Sequence, residues 1–381
     1  MNSLGPLETF QFELIENTDE NKKFRSVLKY ITAGKDLQAI DLLKDLYLLN
    51  QESSFGTSIA NLLFDLSFSQ AHWKQMAHIG LLEDERVEIS NRLLAKACLN
   101  AKPVKLTFSK NHMKLPMELS LSGCPTVKIV INGKQKSFWL DTGAGMSVIS
   151  CSIAKECQIP IFREQEMVVG NSTNKKIATD LAFINTLDMG HLRIHNLPSL
   201  VIADDSLTFQ FPHSNEVMVI DGIIGWDVLQ HLYLEIDYKQ REVVIQMPIP
   251  ADNKANNLFF CGAPIVKVKS EERDPLYFGL DTGANQTHFG HPLLSKIKDP
   301  VIEKKTLYAG GLGDLKEREL ETLEYLSLQV NPNQNIEFHN LRIMLSNFCT
   351  FFKLDGVIGS DIARNGRLII DYFNRSFAVI L

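Results

Sequence analysis

The sequence is poor in features that would place it quickly. Its six cysteines, Cys98, Cys124, Cys151, Cys157, Cys261 and Cys349, are scattered over 381 residues with no CxxC pair. That pattern excludes a dense disulfide framework, so they read as small buried hydrophobes or free thiols of a reducing compartment. There is no basic block: 39 Lys and Arg stand against 45 Asp and Glu, for a formal net charge of −6. A mildly acidic chain offers no electrostatic footprint for nucleic acid or an anionic membrane, and neither is expected as a partner. No apolar run approaches the roughly 20 residues needed to span a bilayer. The opening stretch "MNSLGPLETFQFELIENTDENKKF" lacks the charged and apolar regions of a signal peptide. A cytoplasmic location is therefore expected, with a periplasmic or secreted one standing only for a processed chain.

What is present is ordinary for a globular protein, 45% hydrophobic and 22% charged. The length suits roughly two or three domains of about 100–200 residues, with cores that need no metal or disulfide staple. Residues 1–102 have a helical texture. "KKFRSVLKYITAGKDLQAIDLLKDLYLLNQ" carries apolar residues at i, i+3, i+4 and i+7, interrupted at Ala33–Asp36, and predicts two amphipathic helices joined by a turn. "SIANLLFDLSFSQ" and "EDERVEISNRLLAKACLNAK" continue the pattern, and Asp84 with its neighbouring acids suits a helix start. The region reads either as a small helical bundle or, through "AGKDLQAIDLLKDLY", as one helical pair of the tetratricopeptide type. The aromatics around Trp73 read as core.

After Lys102-Pro103 the period changes from 3.6 to 2. "PTVKIVINGKQKSFWLD" alternates around Asn132-Gly133, a strong two-residue hairpin signal. A Pro-, Asn- and Asp-rich stretch from Met247 to Asn257 reads as a linker. Across it three blocks recur in order: "LDTGA" at Asp141 and Asp281, "DG[IV]IG" at Asp221 and Asp355, and "IDY" at Asp237 and Asp371. The copies lie 140, 134 and 134 residues apart, a near-constant offset that chance does not give. The chain therefore predicts a helical domain over 1–102 and two homologous all-β lobes, 103–249 and 250–381.

If the lobes pack about a pseudo-two-fold axis, equivalent residues near it meet, and Asp141 faces Asp281. Two close carboxylates share a proton, because both cannot ionise readily. The ionised member then takes a proton from water while the protonated one donates to an amide carbonyl, with no metal, cofactor or covalent intermediate. Gly143 and Gly283 let the backbone approach the carboxylates without a Cβ. Thr142 and Thr282 offer hydroxyls to brace the opposite lobe, and Ser147 and Thr287 are candidates for further local hydrogen bonds.

The paired "DTGA" motifs, each followed by "DG[IV]IG", resemble the retropepsin-like aspartic proteases of the pepsin and retroviral-protease superfamily. The resemblance covers about 103–381. It implies a mainly β, bilobal acid-protease fold after an α-helical N-terminal domain, with both halves fused in one chain, so that a monomer suffices to form the site. It implies an aspartic endopeptidase acting on a peptide or protein, with Asp141 and Asp281 as the catalytic pair and Thr142 and Thr282 as the grip between lobes. A protease-like peptide-binding or scaffold protein without catalysis is the alternative. The family's mobile flaps correspond to Val168–Asp180, with Gly170 and Asn171, and to Tyr308–Leu320, with Tyr308, Gly310 and Gly311. The helical domain would recruit substrate, gate the cleft or dock a protein partner.

Other motifs have simpler readings. His191 and His195, or His288 and His291, would need a third ligand to hold a metal, and none is evident. "GGLGD" at Gly310 lacks the Lys-Ser/Thr of a phosphate loop. Asp227 and Asp361 read as caps of the short helix after each "IG", and Asp237 and Asp371 as turn formers.

Overall fold

The computed structural model describes residues 4–14, 19–49, 55–163, 167–210, 216–252, 254–312, 314–331 and 334–381. Helices come first: α1 (Gly5–Glu8), α2 (Asp19–Thr32), α3 (Asp36–Leu49), α4 (Gly56–Ser69), α5 (Trp73–His78) and α6 (Ile89–Ala97). α3 buries Ala39, Ile40, Leu43, Leu46 and Tyr47, the i, i+3, i+4, i+7 spacing of one apolar face. Asp84 does not start a helix. Its carboxylate accepts from Arg86 Nη2 at 2.6 Å and Tyr47 Oη at 2.9 Å, and α6 begins five residues later. A strong side-chain partner two residues on holds Asp84 in the preceding turn. None of the described helices is long and apolar enough to cross a membrane. All six cysteines are free thiols.

From Lys105 onward the chain is mostly strand, in two lobes of the same plan. Asn132 and Gly133 both take positive φ, closing the tight hairpin between strands Pro125–Ile131 and Lys134–Leu140. Lys134–Leu140 pairs in parallel with Gly222–Ile224, which pairs antiparallel with Val148–Ser150. In the second lobe Pro275–Leu280, Gly356–Ile358 and His288–Phe289 repeat that arrangement. The apolar triplets after each "DG" are thus fully buried central strands, as their unbroken Ile/Val content requires.

The lobes share a five-stranded sheet in the order His112–Pro116, Glu242–Gln246, Tyr233–Asp237, Arg367–Asp371, Ser376–Ile380. At its centre Tyr233–Asp237 runs antiparallel to Arg367–Asp371, with Glu235 opposite Ile369. Those two residues are equivalent in the sequence repeat, so the pair marks the pseudo-two-fold axis. Asp237 Oδ1 accepts from Gln240 N at 2.7 Å and Asp371 Oδ1 from Asn374 N at 3.1 Å, the turn role expected of both.

The helices dock onto the β lobes through aromatic stacking and buried carboxylates. Phe10 stacks on Tyr277 and Phe352 with centroids 3.7 and 4.1 Å away. Asp36 Oδ2 accepts from Tyr372 Oη at 2.8 Å and Arg375 Nη2 at 2.9 Å. Asp65 on α4 accepts from Thr350 Oγ1, and burial pushes its pKa up to about 6. Toward the first lobe, Leu94 and Cys98 of α6 and its following turn join a core cluster with Met146, Val148, Met167 and Ile177. Glu88, just before α6, pairs with Lys176 Nζ at 2.9 Å.

Candidate active site

Each Asp-Thr-Gly lies at the carboxyl end of a buried strand, tied to its neighbour in the lobe's core. Asp141 N donates to Ile224 O and Asp281 N to Ile358 O, both at 3.0 Å. The threonines then cross between lobes. Thr142 N donates to Thr282 Oγ1 and Thr282 N to Thr142 Oγ1, each at 3.0 Å. Each hydroxyl donates onward to the far lobe, Thr142 Oγ1 to Leu280 O and Thr282 Oγ1 to Leu140 O, both at 2.7 Å. Both threonines are buried, so these four bonds are made away from water.

That exchange sets the aspartates face to face. A Cβ on Gly143 would sit 2.6 Å from Asp281 Cγ, and one on Gly283 would sit 2.5 Å from Asp141 Cγ. Close approach to the opposite carboxylate therefore excludes any side chain at either position. Gly143 N donates to Asp141 Oδ1 at 2.8 Å, and Gly283 N and Ala284 N donate to Asp281 Oδ1 at 2.9 and 3.0 Å.

The electrostatics couple the pair. Burial raises the pKa of Asp141, opposed by hydrogen bonds from Asp281 and from backbone N–H groups. Asp281 is raised well above the usual carboxylate range, first by burial and then by the charge of Asp141 beside it. Both carboxyls are thus raised by burial, and lying side by side they hold one proton between them over the range in which the pair is singly ionised.

Ser147 and Thr287 brace the two loops from behind. Ser147 Oγ donates to Asp227 Oδ1 at 2.8 Å and accepts from Gly225 N at 3.1 Å. Thr287 Oγ1 donates to Asp361 Oδ1 at 2.7 Å and accepts from Gly359 N at 3.2 Å. This corrects the capping role expected of Asp227 and Asp361. The cap positions are Gly225 and Gly359. The carboxylates lie two residues past the cap, in the first turn, where a hydroxyl from the Asp-bearing loop meets them.

The expected flap residues occupy two hairpins. Gly170 pairs with Lys176 at the end of the first hairpin, and Asn171 opens its turn. Asn171 Oδ1 accepts from Thr173 N at 2.9 Å and Lys175 N at 2.9 Å. Tyr308, Gly310 and Gly311 lie on strand Ile302–Gly311, which pairs with Asp314–Asn331; Gly313 at that tip lies outside the described residues. The tips meet. Asn171 Nδ2 donates to Leu312 O at 2.7 Å, and Ser346 Oγ donates to Ser172 O at 2.9 Å.

Sequence reasoning missed Asp221 and Asp355 as anchors. Asp221 Oδ2 accepts from Ser137 N at 2.9 Å, and Asp355 Oδ2 from Tyr277 N at 2.8 Å, fastening each Asp-bearing strand to its partner loop. The signal was available, since both open a "DG[IV]IG" block.

Residues 127–228 match the family model described as aspartyl protease. No curated protein matches the chain in sequence. Among solved structures, a retropepsin-like aspartic protease from Rickettsia conorii aligns at 14% identity and TM-score 0.23, covering 38% of this chain and 94% of that one. The aspartic proteinase from Irpex lacteus aligns at 11% identity and TM-score 0.38, covering 70% and 97%. The family match is seated on the first lobe and includes the loop that carries Asp141.

Proposed function

We propose that the protein is an aspartic endopeptidase whose catalytic pair is Asp141 and Asp281. The observation that carries this reading is the reciprocal Thr142–Thr282 exchange, which holds the two carboxylates against each other across the lobes. An extended peptide would lie over the pair, beneath the two hairpins. Water held between the carboxylates attacks the peptide carbonyl, Asp141 taking its proton while Asp281 donates to the carbonyl oxygen. The resulting gem-diol collapses when Asp141 passes the proton it took to the amide nitrogen, Asp281 takes one back from a diol hydroxyl, and the C–N bond breaks, leaving an amine and a carboxyl product. Thr142, Gly143, Ser147, Thr282, Gly283 and Thr287 keep the carboxylates in place, and the hairpins bearing Gly170, Asn171, Tyr308, Gly310 and Gly311 exclude water. Both carboxylates come from one chain, so one copy suffices for the site.

The test is incubation of the full chain with a diverse peptide pool from pH 4 to 8, with and without a pepstatin-type inhibitor, beside Asp141→Asn and Asp281→Asn. Cleavage by the wild type that is lost in both variants supports the peptidase. Absence of cleavage at every pH overturns it, and leaves a cleft that grips an extended strand without cutting it.

A further inference from the structure

The two lobes repeat one backbone plan, so differences between equivalent positions bear on what the cleft accepts. In the first lobe Val148 stands opposite Leu200 and Ile149 opposite Val201, in parallel register. In the second lobe Phe289, the counterpart of Ile149, bridges in parallel to Ile343. One residue back, the counterparts of Val148 and Leu200 are therefore His288 and Arg342. The first-lobe pair is buried in an apolar cluster with Met146, Met167 and Ile177. The second-lobe pair is polar: Arg342 Nε donates to His288 Nε2 at 2.8 Å.

Arg342 also reaches the second hairpin, its Nη1 donating to Tyr308 O at 3.1 Å. His288 directly follows Thr287 on the strand leaving the Asp281 loop, and Tyr308 lies two residues before Gly310. The guanidinium thus bridges the strand that leaves the Asp281 loop and the second hairpin. Arg342 has no ion-pair partner among the described residues, and Nη2 makes no hydrogen bond there and is not sealed from solvent. The acid whose charge it feels, Asp361, already has both oxygens engaged by Thr287. A partly buried cation with one free donor edge is a site for a carboxylate.

We propose that Arg342 is a specificity-determining residue: its free guanidinium edge, held between His288 Nε2 and Tyr308 O, takes an acidic peptide side chain on the Asp281 side of the cleft. The equivalent position on the Asp141 side, lined by Val148 and Leu200, takes an apolar side chain. The location of the peptide rests on the peptidase reading, and the test keeps the two apart.

The probe is a fluorescein-labelled octapeptide pool in which each position in turn is Glu or Gln among Leu, Val and Phe. Binding is measured to the Asp141→Asn protein, with and without Arg342→Met, and cleavage to the otherwise wild-type chain. At one position Glu is favoured over Gln by on the order of 10- to 100-fold, the range of a charge-assisted hydrogen bond. Arg342→Met brings that ratio to about one with the Gln peptides still bound as before, and Arg342→Lys keeps part of it. Equal binding of Glu and Gln peptides, or a ratio unchanged in Arg342→Met, overturns the proposal. Retained Gln-peptide binding and a circular-dichroism melt report folding; if Arg342→Met does not fold, Arg342→Gln against Arg342→Lys carries the same comparison. Discrimination in binding without any cleavage keeps the role of Arg342 and removes the peptidase, and cleavage without discrimination does the reverse.

Discussion

Thr142 and Thr282 each accept the other's backbone N–H at 3.0 Å and donate to a leucine carbonyl of the opposite lobe at 2.7 Å. Replacing Thr142 with Val keeps the shape and leaves Thr282 N–H and Leu280 C=O buried without partners. The expected cost is about 2–5 kcal/mol, from two stranded polar groups. Urea denaturation measures it, and Thr142→Ser should recover most of the loss.

Asp281 gives a prediction in which stability and activity move oppositely. Its folded pKa lies well above the ordinary carboxyl value of 3.8, chiefly through burial. Its contribution to stability is complete below that ordinary value and is lost as pH rises through the folded pKa. The wild type should therefore lose stability as pH climbs from about 4, the Asp281→Asn variant should lose less, and at pH 7 the inactive variant should be the more stable. If the pair is catalytic, peptide hydrolysis should rise as it loses its first proton and fall as it loses its second, with both limbs displaced above the range of free carboxyls. Melts and kcat/KM profiles over the same pH series check both halves.

The hairpin tips are joined by Asn171 Nδ2 donating to Leu312 O at 2.7 Å. Asn171→Ala removes that bond and the turn that Asn171 organises, at about 0.5–1.5 kcal/mol per hydrogen bond lost. Amide hydrogen exchange at Val168–Gly170 and Tyr308–Gly311 should quicken, with exchange in the five-stranded sheet unchanged.

Asp65 links the helices to the second lobe through Thr350, with its pKa pushed up to about 6 by burial. A carboxyl raised in the folded state stabilises fully below its unfolded pKa and loses that as pH passes the folded one. From pH 4 to 7 the expected loss is about 1–3 kcal/mol, the lower end allowing for partial exposure. Asp65→Asn should remove this share of the slope in urea titrations. The part due to Asp227, also pushed up to about 6, should remain.

The site's backbone was legible because its parts are local and written twice. "LDTGA" and "DG[IV]IG" each fold as a strand end or a short strand, and their constant offset carries the symmetry that brings Asp141 to Asp281. The hairpin at Asn132-Gly133 is legible for the same reason, since two residues set its turn. Features that depend on partners distant in sequence were not. Nothing near Asp227 announces Ser147, nothing near Asp361 announces Thr287, and Arg342 is 54 residues from His288. The docking of the helices by Asp36 and Asp65 escapes notice likewise, because a buried carboxylate in a helix looks in sequence like a solvated one.

The central strand pair, with Glu235 opposite Ile369, fuses two halves that could otherwise meet only by collision. With both halves on one chain, mass action no longer sets the fraction of assembled sites, and turnover per molecule should be the same at nanomolar as at micromolar protein. Fusion also frees each half from having to be its own mirror. A change at one position is no longer copied across the axis, so Leu200 and Arg342 can diverge, and an extended chain bound as proposed would meet two unlike lobes and have one favoured direction.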